Sequence, residues 1–162
     1  MKKLLTSALA LFFLFGCETP VEPFEVLDAG LFSLLAPEGW TYTPLMGIDS
    51  TVGEFSNGEM TLRFDYGMYT GDFTNNSVYF EDPSAYTAIE EIIDGFSAQI
   101  YVPTQANSGK PTVLSIMNIN DVKPCTEDVC ILDQENFEML GDNLTEEQVE
   151  LALQIFRTVD FE

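Results

Sequence analysis

The stretch from Thr51 to Gly67, TVGEFSNGEMTLRFDYG, carries Asn57-Gly58 between two runs of alternating polarity. No other feature constrains the fold as much. Asn-Gly readily takes the positive φ angles of a two-residue hairpin turn, and side chains alternate across a strand, so the segment predicts an antiparallel pair with one buried face. Val52 and Phe55 lie before the turn. Met60, Leu62, Phe64 and Tyr66 after it are expected to face the core, and Thr61, Arg63 and Asp65 to face outward or toward a second layer.

Similar punctuation marks further strands. In LFSLLAPEGWTYTPL, Pro37-Glu38-Gly39 separates two short apolar runs, which predicts a strand, a turn and a second strand with Trp40 buried at its entry. In YTAIEEIIDGFSAQIYVP the isoleucines alone would suit a helix. Asp94-Gly95 decides against it, because glycine is unfavourable inside a helix and Asp-Gly favours a hairpin, so two strands are expected, ending at Pro103. Gln105 to Lys110 reads as a loop and Thr112 to Ile119 as a further strand.

The clearest helix starts at Thr145. Its hydroxyl is placed to cap the backbone, Gln148 holds the reciprocal capping-box position, and Glu146 and Glu147 suit the positive end of the helix dipole. Val149, Ala152, Leu153 and Phe156, flanked by Ile155, form an apolar face. Arg157 lies at the negative end, and Thr158 to Phe161 is expected to close as a strand.

The N-terminus follows a different logic. Lys2 and Lys3 precede an apolar run from Leu4 to Phe15, too short to span a bilayer that needs about 20 residues, and Gly16-Cys17 follows. Residues 1–16 therefore read as a signal peptide. Leu14-Phe15-Gly16-Cys17 resembles the bacterial lipobox, although Phe15 stands where that motif usually has a small or β-branched residue. The resemblance implies that Cys17 receives a diacylglycerol and becomes the mature N-terminus; the competing reading is an ordinary secretory signal cleaved near Gly16. On the first reading residues 17–23 are a lipidated terminus and tether, and residues 24–162 form a single domain anchored by lipid in a bacterial envelope, at the outer membrane before the inner.

Once residues 1–16 are removed, Arg63, Lys110, Lys123 and Arg157 oppose 27 acidic residues, four against 27, for a net charge of −23. Phosphate backbones require basic patches, so nucleic acid is excluded as a partner. Solubility is the plain account of such acidity, and steering of cations or a basic partner the sharper one.

The 162-residue chain has no histidine, which excludes Ser-His-Asp and Cys-His catalysis and any histidine-ligated metal. No phosphate-binding glycine loop and no GxSxG is present. No catalytic residue and no cofactor are expected, and the protein is read as a non-enzyme. Cys125 and Cys130, in a chain that is exported, are expected to form a disulfide rather than a metal pair. The densest oxygen-donor groups are Asp65, Asp72, Asn75 and Asn76, and Glu127 with Asp128. As calcium ligands they lack EF-hand spacing, and solvated acidic loops are the favoured account. Asp49-Ser50-Thr51 also resembles the short O-glycan acceptor of some Bacteroidetes envelope proteins, but three residues are a weak signal and a turn is the favoured account.

LLAPEGW, LRFDYG, IIDGFSAQI and LTEEQVELALQIFRTVDF, in that order, resemble small bacterial lipoproteins of the Mog1/PsbP-like fold across most of residues 24–162. The resemblance implies an α+β domain: a single antiparallel sheet with helices packed on it and a C-terminal amphipathic helix. It also implies an accessory or protein-binding role, with binding of a cation or small molecule as the alternative. It supplies no site residue.

Overall fold

The structure, a computed structural model, describes residues 23–70, 82–119 and 135–161. Ten strands and one helix follow in order: β1 (Phe24–Asp28), β2 (Phe32–Pro37), β3 (Thr41–Pro44), β4 (Thr51–Ser56), β5 (Thr61–Gly67), β6 (Tyr86–Ile93), β7 (Phe96–Pro103), β8 (Pro111–Ile116), β9 (Asn136–Asp142), α1 (Glu146–Phe156) and β10 (Asp160–Phe161). A single 3₁₀ turn, Pro83–Ala85, leads into β6. Every strand pairing is antiparallel.

The single sheet with packed helices that the resemblance implied does not form. Strands account for 52% of the described residues and helix for 12%, and the strands divide into a three-stranded sheet, β1-β2-β10, and a seven-stranded sheet, β3-β4-β5-β9-β8-β7-β6. The cause lies in β2. Phe32, Leu34 and Ala36 alternate along it and are wholly buried. The Phe32 ring meets Phe64 and Phe137 of the large sheet edge-on, each at 4.8 Å between centroids. A second sheet thus covers much of the face where helices were expected, and α1 covers the rest through Ala152, Ile155 and Phe156. Consecutive strands β2 and β3 belong to different sheets, and the turn between them buries Trp40.

Both hairpins form, with one shift. Asp94 and Gly95 take positive φ, as the two-residue turn requires. At the first hairpin, the Asn57 N–H donates to the Met60 carbonyl and Gly58 alone takes positive φ, +87°. That turn is centred on Gly58-Glu59, and the Asn57 carboxamide oxygen instead accepts from the Glu59 and Met60 amides at 3.0 and 2.9 Å. The core register is as expected, with Met60, Leu62, Phe64 and Tyr66 all buried. β1 and β9 were not expected from the sequence, and β9 is central, lying between β5 and β8.

α1 has the predicted capping box. Thr145 Oγ1 accepts from the Gln148 amide at 3.2 Å, and Gln148 Oε1 accepts from the Thr145 amide at 3.0 Å. Thr145→Ala should lower stability by about 1 kcal/mol, the usual worth of a hydroxyl cap. A urea titration reads this directly as a lower midpoint at unchanged slope.

At the other end of α1, Arg157 makes a two-pronged pair with Glu91 of β6, at 2.7 and 2.9 Å. The hydrogen bond from Arg157 holds the Glu91 carboxyl below its ordinary value. A depressed native pKa gives stability that is present above the unfolded value and lost as pH falls through the folded one. The pair lies at the surface, partly open to solvent, so its worth is small, under about 1 kcal/mol. Arg157→Ala should therefore be slightly less stable than wild type at pH 7, and the gap should close below pH 4, measured by urea unfolding across that range.

Candidate functional site

Four loops gather at one end of the seven-stranded sheet. They are the segment between β3 and β4, the turn that follows β5, the residue preceding β9, and, from the smaller sheet, the turn joining β1 to β2. Antiparallel order places the end of β3, the start of β4, the end of β5 and the start of β9 at this same end. A cleft of about 450 Å³ opens between them, lined by Leu31, Ile48, Asp49, Ser50, Thr51, Tyr66, Gly67, Met68 and Glu135.

Its floor is ordered. Tyr66 is buried, and its hydroxyl donates to Glu135 Oε2 at 2.9 Å. Its apolar lining faces outward: Ile48 is 102% exposed, and Leu31 and Met68 are 42% and 44% exposed. On the same loops Met46 and Tyr69 are 98% and 73% exposed and Leu45 46%.

These exposed side chains sit on loops that the backbone pins. The Leu45 amide donates to the Val52 carbonyl at 2.9 Å, and a Cβ on Gly47 would lie 2.1 Å from the Ser50 carbonyl oxygen, so the loop folds back too tightly there for any other residue. The turn after β5 closes through the Thr70 amide on the Gly67 carbonyl at 3.3 Å. Buried Thr70 then donates from its hydroxyl to Asp65 Oδ1 at 3.0 Å, and its carbonyl accepts from Asn136 Nδ2 at 3.2 Å. With both ends of the turn held, Met68 and Tyr69 point out into solvent. Sequence patterning does not single out Met68 or Tyr69. The only signal was large apolar residues where turn residues were expected.

Of the expected site residues, the structure describes Asp65. Beyond its bond from Thr70, it stands directly opposite Glu138 across the β5–β9 pair. Among the described residues no three His, Cys, Asp or Glu side chains gather as metal ligands. Cys17, Cys125, Cys130, Asp72, Asn75, Asn76, Glu127 and Asp128 lie outside the described residues. Asp49-Ser50-Thr51 forms part of the cleft wall, and Ser50 packs so closely that a Cβ on Gly67 would come within 2.8 Å of its own Cβ.

Charge elsewhere follows the sheet faces. Arg63 pairs with Asp142 on the exposed face. Lys110 sits 5.7 Å from the centroid of the Tyr86 ring, whose hydroxyl is raised above its ordinary pKa, first by burial and then by Asp142. No helix among the described residues is long and apolar enough to cross a membrane. No protein-family model matches the chain, and no curated protein matches it significantly.

Proposed function

We propose that this is a non-catalytic, lipid-anchored protein of the bacterial envelope whose loop end docks on another protein. The observation that carries the reading is the apolar rim of the cleft. Large side chains held out into solvent by pinned loops lose the hydrophobic gain of burial, and a contiguous patch of them marks an interaction surface. The cleft between them suits an inserted apolar side chain, as at the centre of a protein interface.

Charge selects the occupant. Asp49 and Glu135 flank the apolar rim on a chain that carries −23 once the leader is removed. A protein surface with an apolar centre and a basic margin is complementary to that arrangement, while an anionic bilayer is repelled by it. The anchor reading rests on Leu14-Phe15-Gly16-Cys17 and is independent of the cleft. The alternative, a cation or small-molecule module, draws support from the Tyr66–Glu135 floor, but a single carboxylate bonded to a hydroxyl is a poor cation site, since calcium takes six to eight oxygens.

Two substitutions at exposed positions, Ile48→Asp with Met68→Asp, test the reading. Lipidated full-length protein should retain a reproducible partner from native membranes, and the double variant should lose it by about tenfold or more, as for hot-spot residues, with an unchanged melting temperature. Failure to recover a partner, or equal recovery by the variant, would count against docking at this end. Equal binding of protein lacking the lipid to bare phosphatidylethanolamine–phosphatidylglycerol vesicles, lost in the double variant, would assign the patch to lipid and overturn the proposal.

A further inference from the structure

The far edge of the large sheet carries a second surface. β6 pairs with β7 through eight successive residues, from Tyr86↔Pro103 to Ile93↔Phe96, with no bulge interrupting the register. Among the described residues β6 is bonded along that side only, because it ends the strand order. Its other side presents main-chain donors and acceptors in an extended row. Proteins usually blunt such an edge with short length, proline, lysine or a bulge, because a bare edge invites another strand.

Two of the other three sheet ends are blunted: β3 has four residues and finishes on Pro44, and β10 has only two. The third, β1, is five residues long and carries Glu25 and Asp28. β6 has eight residues, no proline and no lysine. Its only charges are Glu90 and Glu91. Glu91 is engaged by Arg157, whereas Glu90 lies on the opposite face with Ala88 and Ile92, where Ile92 is 71% exposed. Glu90 has no ion-pair partner among the described residues.

A second copy of the chain is a poor occupant. Antiparallel self-pairing would bring the two glutamates of one β6 beside those of the other, on chains that each carry a net charge of −21, and like charges on facing strands are destabilising. We propose instead that β6 is a strand-addition site for an extended segment of a partner protein that places lysine or arginine beside Glu90. Main-chain bonds supply affinity that is indifferent to sequence, and the side-chain row selects the basic segment. The site is distinct from the loop-end cleft: β9, β8 and β7 separate β6 from β5. The two proposals share only that the partner is a protein.

Three eight-residue peptides test this on the purified full-length protein: TKVKTKVK, the same sequence with glutamate for lysine, and the lysine peptide N-methylated at alternate amides. The basic peptide should bind, slow hydrogen exchange of β6 amides by about tenfold or more, and weaken as salt is raised. The acidic and N-methylated peptides should give neither effect. Glu90→Lys, an exposed change, should reverse the preference toward the acidic peptide. Absence of β6 protection by any peptide, equal protection by the N-methylated form, or loss of binding in the Ile48→Asp, Met68→Asp variant would overturn the strand-addition site; the last would assign the peptide to the loop end, and none of the three counts against the loop-end reading.

Discussion

Phe32→Ala is expected to destabilise the protein by about 3–5 kcal/mol, the range for deleting a fully buried phenylalanine. Phe32 is the side chain through which the small sheet meets the large one. Its ring touches Phe55, Phe64, Phe137 and Phe161 at centroid distances of 5.9, 4.8, 4.8 and 6.1 Å. The first three contacts are edge-on, an arrangement worth about 0.5–1.5 kcal/mol per pair beyond the area buried. Four rings held in strands cannot collapse together to refill the space, so the cavity term should lie toward the upper end. Urea unfolding should show the midpoint fall at nearly constant slope, and the melting temperature should drop by roughly 10 °C. A loss below about 0.5 kcal/mol, the range of ordinary surface changes, would mean that β2 is not the seam between two layers.

The second large effect concerns location. Cys17→Ser should move the protein from the membrane fraction to the soluble fraction and abolish incorporation of labelled fatty acid. Each buried methylene contributes about 0.8 kcal/mol, so the two chains of a diacylglycerol hold a protein firmly where one acyl chain is marginal. Among the described residues no helix is long and apolar enough to cross a membrane. Wild-type protein that incorporates no label, or label undiminished in Cys17→Ser, would overturn the lipid-anchor reading in favour of an ordinary secretory signal.

Local structure was legible where a residue type forces a backbone conformation. Asp94-Gly95 overrode the helical spacing of its isoleucines, and Thr145 with Gln148 marked the helix start to the residue. Layering was not legible. Phe32, Leu34 and Ala36 alternate as any half-buried strand does, and alternation reveals that one face is covered without saying whether a helix or a second sheet covers it. β1, with only Phe24 and Leu27 partly sheltered, lacks the strong period that would have marked it. β9 was hidden because its alternation, Phe137, Met139 and then Gly141, ends on a glycine. That glycine has a packing cause: a Cβ there would lie 2.9 Å from Leu62 and Leu144. The candidate site was less legible still. Met46, Ile48, Met68 and Tyr69 are unremarkable as separate letters, and only the antiparallel return of β4 and β5 brings their loops together.

The most direct test of the docking account is photocrosslinking in intact cells, with a photoreactive amino acid placed at position 48, at position 68 and, as a control, at exposed position 154 on α1. The account predicts one reproducible protein adduct shared by positions 48 and 68 and absent from 154. Adducts of equal yield at all three positions, or none at 48 and 68, would contradict it.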